Sequence, residues 1–223
     1  MCGLIGFWGN GHALRRDVVE KLCLPRLRFR GPDELSFVSY PREKLLLGHS
    51  RLKILDLTEN GRQPMLSPAG EQAIVYNGEI YNFCEIRREL EGRGQVFHSN
   101  SDTEVFLRAF EAWGPKAFLK CNGMWSAAIY NFKEKRLFLS RDRFGKKPLF
   151  WTRLQDGFAF ASEMKALLPL LPEAKPNRGL LRCSSRYLHY EATDECLVEG
   201  IRRFPAGCWA EVKECINERY STN

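Results

Sequence analysis

No apolar run in this 223-residue chain approaches the ~18–20 residues that a membrane-spanning helix needs. The start lacks a signal-peptide pattern, since Met1 is followed by Cys2 with no basic stretch and no long apolar segment. Histidine is scarce, at four residues, and no two of the eight cysteines form a Cys-x-x-Cys pair. A structural zinc site is therefore not expected, and no metal ligand set is assigned. Repeats and low-complexity stretches are missing too. The expectation is a soluble, cytoplasmic protein whose thiols are mostly small, semi-buried hydrophobes.

What is present is an ordinary globular balance, 44% hydrophobic and 27% charged. The length allows one large domain, or one domain with an appendage, and a core that needs no staples. The formal net charge is +7. From Glu173 onward eight basic residues balance eight acidic ones, so the excess belongs to the first 172 residues. It gathers around Arg15 to Arg30 and Lys133 to Lys147, within amphipathic segments and on no recognisable nucleic-acid module. Nucleic acid is not expected as a partner; an anionic substrate or an acidic partner surface fits the charge.

Periodicity divides the chain into runs of strands and runs of helices, which predicts an α+β fold. Strands are predicted at 2–8, 35–40, 45–52 and 72–76, then at 124–130, 136–141, 148–151 and 158–161 as a meander. A helix is predicted over Ala13 to Leu24, with Leu14, Val18 and Leu22 on its inner face. Asn82 is placed to cap a helix that carries Phe83, Ile86 and Leu90. Ser101 to Glu104 reads as a capping box that opens a helix with an apolar stripe from Val105 to Trp113. Residues 2–172 are read as the domain and 173–223 as a peripheral C-terminal segment.

Cys2 is the exception among the thiols. Removal of Met1 would leave a thiol and a free α-amine on one residue. With pKa values of about 8.5 and about 7.7–8.0, the amine can take the thiol proton near neutrality. One residue then supplies nucleophile and base. Asn77-Gly78 has two local readings: a hairpin turn, or a side-chain amide and backbone N–H that stabilise an oxyanion. Arg51 offers a guanidinium suited to a carboxylate. Asp102 either favours a helix N-terminus or holds an ammonium.

The order and spacing of several segments resemble the class II, N-terminal-nucleophile glutamine amidotransferase domain, most closely that of the glutamine-hydrolysing asparagine synthetase family. The segments are 1–6 (Met-Cys-Gly-Leu-Ile-Gly), 30–33 (Arg-Gly-Pro-Asp), 48–52 (Gly-His-Ser-Arg-Leu), 60–65 (Asn-Gly-Arg-Gln-Pro-Met), 77–82 (Asn-Gly-Glu-Ile-Tyr-Asn), 101–104 (Ser-Asp-Thr-Glu) and 141–149. The resemblance runs from Cys2 to about Leu168. It implies a four-layer αββα sandwich of two antiparallel sheets. It implies Cys2, Asn77 and Gly78 as catalytic residues, with Arg51, Leu52, Ile54, Glu79 and Asp102 around the substrate L-glutamine. It assigns 141–149 to scaffolding and to a face that meets a synthetase domain or subunit. No cofactor is implied for this domain; ATP and Mg²⁺ are expected for the synthetase portion, whose Ser-Gly-Gly-x-Asp-Ser loop is not among these residues.

On this reading the chain is an excised domain first, with a truncated product or a stand-alone glutaminase subunit as alternatives, and it releases ammonia for amidation of a carboxylate, aspartate first and a sugar acid second. Homodimer formation stays open. The alternative from another class is a non-catalytic glutamine-binding or interaction domain. Intact mass separates the two, because a chain that keeps Met1 has its amine one residue away from the thiol.

Overall fold

The computed structural model of the chain describes residues 1–187, 193–212 and 219–222, and for 183–187 and 219–222 the backbone alone. In chain order it contains β1 (Gly3–Trp8), α1 (His12–Val18), β2 (Glu34–Tyr40), β3 (Leu45–Arg51), β4 (Met65–Leu66), β5 (Gln72–Ile80), α2 (Phe83–Glu91), α3 (Asp102–Trp113) and α4 (Ala117–Lys120). These are followed by β6 (Gly123–Asn131), β7 (Arg136–Arg141), β8 (Phe150–Leu154), β9 (Gly157–Ala161), α5 (Met164–Leu167), α6 (Arg178–Tyr187), β10 (Ile201–Arg203), β11 (Cys208–Val212) and β12 (Arg219–Thr222). The first sheet has the order β10-β8-β9-β1-β3-β2 and the second β12-β11-β7-β6-β5-β4. Each neighbouring pair is antiparallel.

Alternation along the strands builds the layers. Leu4 and Trp8 of β1, Leu45 and Leu47 of β3, Ala73 and Val75 of β5, and Ala128 and Tyr130 of β6 pack together between the sheets. The opposite face of β5, with Ile74, Tyr76 and Ile80, packs on Ile86 and Leu90 of α2 and on Val105, Phe106 and Ala109 of α3. On the other side, Ile5 and Phe7 meet Val19, Cys23 and Leu24 beyond α1, and Ala166 and Leu167 of α5. The molecule is thus helix on sheet on sheet on helix, the four-layer αββα sandwich.

Three local expectations are corrected. The helix from Ala13 does not bury Leu14 and Leu22, which are 81% and 54% exposed; Val19 and Cys23 are buried instead. After Val18 the chain widens into a π turn over Val19–Cys23, which rotates a different set of side chains inward. Asn82 stands at the start of α2, yet its side chain makes no cap there. Its amide bridges to the Lys120 carbonyl and the Asn122 N–H at 2.9 and 2.8 Å, tying α2 to the approach of β6. In the capping box, Ser101 Oγ does accept the Thr103 N–H at 3.1 Å. Glu104 does not reach back to Ser101: its carboxylate accepts the N–H groups of His98 and Ser99 and the Ser99 hydroxyl.

After 173 the chain returns to both sheets. β10 adds to β8 at the edge of the first sheet, and β11 adds to β7 in the second. Arg141 Nη1 donates to the Phe204 carbonyl at 2.7 Å, which fastens the turn between β10 and β11 to the end of β7.

Phe106 is fully buried and meets Tyr76, Phe118 and Trp125 edge-on, with centroids 5.5, 5.8 and 5.8 Å away. Phe106→Ala is expected to cost about 3–5 kcal/mol of folding stability. A urea titration checks this through a lowered midpoint at an unchanged slope; an unmoved midpoint contradicts it.

Candidate active site

Where β1 begins and β3 ends, the two sheets part around a cavity of about 230 Å³. That is below the roughly 300–1,000 Å³ of pockets for drug-sized ligands and on the scale of a single amino acid. Its wall includes Cys2, Arg51, Leu52, Ile54, Asn77, Gly78, Glu79 and Asp102. Residues scattered over a hundred positions are brought together by three strand ends and one helix N-terminus.

Cys2 sits one residue before β1, and the register Gly3 to Ser50 sets it beside the end of β3. Its Sγ accepts the Leu52 N–H at 3.3 Å and faces the Leu52 carbonyl at 3.6 Å. Its carbonyl accepts Arg30 Nε at 2.8 Å. Burial pushes the thiol above its ordinary pKa; the Leu52 N–H, the adjacent terminal amine and Arg51 oppose that rise.

Asn77-Gly78 is no hairpin turn. β5 runs straight through it to Ile80, paired with Ser126 and Trp125 of β6. The N–H and carbonyl of Trp125 are taken by Asp142, so Gly78 opposite is a non-hydrogen-bonded position. The N–H groups of Tyr76 and Ile80, two residues either side, point away from β6 to Gln63 Oε1 at 2.6 Å and Asp102 Oδ2 at 2.9 Å. The Gly78 N–H, between them in the same row, is directed between Gln63 and Asp102, both of which line the cavity. A side chain on Gly78 would overlap the Met124 carbonyl and Trp125, so only glycine lets β5 lie this close. The Asn77 Nδ2 group is buried and donates to no acceptor among the described residues. An unmatched amide is costly in an interior and suits a ligand oxygen.

Charge lines the rest. Arg51 is buried, its Nη2 held by the carbonyls of Asp56 and Thr58 at 2.5 and 2.9 Å and its Nη1 by Glu34 at 3.4 Å. Gly61 makes room for that guanidinium, because a Cβ there would collide with Nη2. Asp102 is buried at the first turn of α3, where Oδ2 accepts the Tyr76 hydroxyl and the Ile80 N–H, each at 2.9 Å. Burial pushes its carboxyl upward in pKa, against the pull of those two donors. Glu79 also lines the cavity. Charges of both signs around so small a space match a zwitterionic headgroup.

A sequence profile described as glutamine amidotransferase domain matches residues 1–221. The chain belongs to the glutamine amidotransferase domain family. It is 37% identical over 172 residues to asparagine synthetase [glutamine-hydrolyzing] 1 of Bacillus subtilis (strain 168), covering 75% of this chain and 27% of that protein. Against asparagine synthetase [glutamine-hydrolyzing] 2 of the same organism it is 36% identical, covering 98% of this chain and 30% of the relative. Asparagine synthetase B [glutamine-hydrolyzing] of Escherichia coli (strain K12) is 35% identical over 76% of this chain and 30% of its own length. The chain thus spans about a third or less of these relatives. Among solved structures, glutamine phosphoribosylpyrophosphate amidotransferase from B. subtilis, complexed with ADP and GMP, superimposes with a TM-score of 0.72 over 99% of this chain and 49% of that one. At 18% identity this likeness speaks to the fold.

In this amidotransferase domain the sequence left several cavity residues unassigned. Tyr76, Gln63 and Asp56 carry or orient the groups above, and Lys147 lines the wall from the loop after β7. Tyr76 lies in an apolar strand and reads as core, and Gln63 reaches Tyr76 of β5 from the loop before β4. No local signal marks Tyr76, and Gln63 falls in the 60–65 segment with no role assigned to it. Among the described residues, no group of three or more histidine, cysteine or carboxylate side chains is placed to hold a metal ion. No helix among them is long and apolar enough to cross a membrane.

Burial separates the thiols chemically, since Cys23 and Cys121 are each pushed up to about 12 while Cys84 is exposed and Cys2 faces the cavity. Iodoacetamide at about pH 8 is expected to label Cys84 and Cys2 well before Cys23 or Cys121. Peptide mapping by mass spectrometry reads the order, and early labelling of Cys23 would show that the α1 layer is open.

Proposed function

We propose that this chain hydrolyses L-glutamine to glutamate and ammonia at Cys2. The observation that carries the reading is that an unmatched Asn77 amide and an inward Gly78 N–H line the same cavity as Cys2. Once Met1 is removed, the Cys2 α-amine takes the thiol proton and the sulfur attacks the carboxamide carbon. The charge that develops on oxygen is met by Asn77 Nδ2 and the Gly78 N–H. The carbon–nitrogen bond breaks, and ammonia leaves with the proton returned by the α-ammonium. Water, deprotonated by the same amine, then cleaves the thioester and releases glutamate. Arg51 holds the substrate carboxylate, Glu79 and Asp102 its ammonium, and Leu52 and Ile54 close the wall.

Ammonia produced here feeds an ATP-dependent amidation of a carboxylate by a synthetase portion, where ATP and Mg²⁺ act in this reading. The names of the relatives favour aspartate as acceptor, giving asparagine; a sugar acid is the second choice. A cytoplasmic location accompanies that metabolism. Met1 lines the cavity, so a chain that retains it is read as a glutamine binder without turnover.

Three variants test the roles. Cys2→Ala is expected to abolish glutamate release while glutamine still binds by calorimetry; measurable turnover removes Cys2 from the reaction. Asn77→Ala should lower kcat by roughly 10²- to 10³-fold with little change in KM. Arg51→Ala should do the reverse, raising KM far more than it lowers kcat, and equal losses in both would reassign it.

A further inference from the structure

We propose that Lys147 is a positioning cation of the reacting centre, holding negative charge at the Cys2 sulfur. The inference rests on the reading of Cys2 as the nucleophile and adds a residue that the reaction above does not use. Lys147 lies in the loop between β7 and β8, and that loop is pinned from both sides. Asp142, fully buried, accepts the N–H groups of Phe144 and Lys146 on Oδ1 and those of Trp125 and Lys147 on Oδ2, at 3.0–3.2 Å. Arg141 donates Nη2 to the Gly145 carbonyl and Nε to the Lys147 carbonyl, at 2.7 and 2.8 Å. The backbone of Lys147 is therefore fixed beside the cavity wall.

Its side chain is not placed at random. Lys147 is 6% exposed, lines the same cavity as Cys2, and pairs with no carboxylate among the described residues. The stem is buried and no carboxylate among the described residues neutralises the charge, which is left to act on the cavity. Burial and the charge of Arg30 both push its pKa down, while Glu79, Cys2 and Asp142 are the negative or ionisable groups that support its charge. Cys2 has the converse difficulty: burial opposes its thiolate, with Asp102 adding to that, and the Leu52 N–H, terminal amine and Arg51 act the other way. The amine that serves as base must be neutral before it takes the proton, so it cannot hold charge at sulfur beforehand. Lys147 takes no proton in the reaction, so its charge acts at the sulfur throughout.

The test uses the full chain processed to begin at Cys2, without substrate. The rate of iodoacetamide addition to Cys2 is followed against pH and quantified on the Cys2 peptide by mass spectrometry. In Lys147→Met the cation is gone, the thiolate loses support, and the profile should move to higher pH by about one unit. At a fixed pH below the midpoint that is about a tenfold slower reaction. Lys147→Arg should restore the native profile, and Lys21→Met, a fully exposed cation paired with Asp17, should leave it unmoved. If the methionine variant does not fold, Lys147→Gln carries the same expectation. A profile unchanged in Lys147→Met or Lys147→Gln overturns the proposal, as does an equal shift in the arginine variant. A raised KM with an unmoved profile also overturns it, by making Lys147 a substrate contact. A chain that shows the Lys147-dependent shift but never hydrolyses glutamine would refute the function proposed above and leave this inference standing.

Discussion

The interior between the sheets is apolar along most of its length and changes character at one end. Leu4 is followed at the two-residue period by Cys2, Leu47 by His49 and Arg51, Val75 by Asn77 and Glu79. The strands that build the core therefore deliver the reactive groups, with no separate scaffold. Sheet packing at ordinary core density fixes the distance between the two rows. This arrangement makes a rigid site, because moving Asn77 relative to Cys2 requires sliding one sheet over the other.

Polar groups just inside that boundary are handled in two ways. His49 is fully buried, its Nε2 paired with the Tyr76 carbonyl, and burial pushes its pKa down to about 3, so it stays a neutral spacer. Arg51, Arg141 and Asp142 are buried as charges, and each is wrapped in backbone groups: carbonyls around the guanidinium ions, N–H groups around the carboxylate. Arg51 adds the Glu34 carboxylate to its two carbonyl partners, so backbone dipoles share the neutralisation of its charge. Lys147 stands apart from this pattern, and its difference from its neighbours is the reason it draws notice.

Elements with a single strong period were legible in advance. The strands from β6 to β9 and the stripe of α3 fell near their expected bounds, because burial on one face imposes alternation or a 3.6-residue repeat directly; the expected meander is instead two hairpins, β6–β7 in the second sheet and β8–β9 in the first. Mistakes arose where local and tertiary preferences diverged. Leu14 and Leu22 looked like the inner face of α1, but the π turn after Val18 serves Val19 and Cys23. Asn77-Gly78 carries a strong turn signal, which pairing with β6 overrides. Asn82 and Glu104 sit at cap positions and spend their side chains on neighbouring loops instead.

The amino-acid order alone settled which atoms are chemically available: a thiol at the second position, an Asn-Gly pair, and a few charged residues in segments typical of one family. Those are properties of residue type and spacing, and they need no coordinates. Only the folded chain decided direction and company. It turned the Gly78 N–H toward the cavity, committed part of Arg51 to carbonyls, joined Tyr76 to Asp102 and placed Lys147 on the wall of the cavity that Cys2 lines. Such facts depend on contacts between residues dozens of positions apart, and no pattern along the chain encodes how two separate strands will face each other.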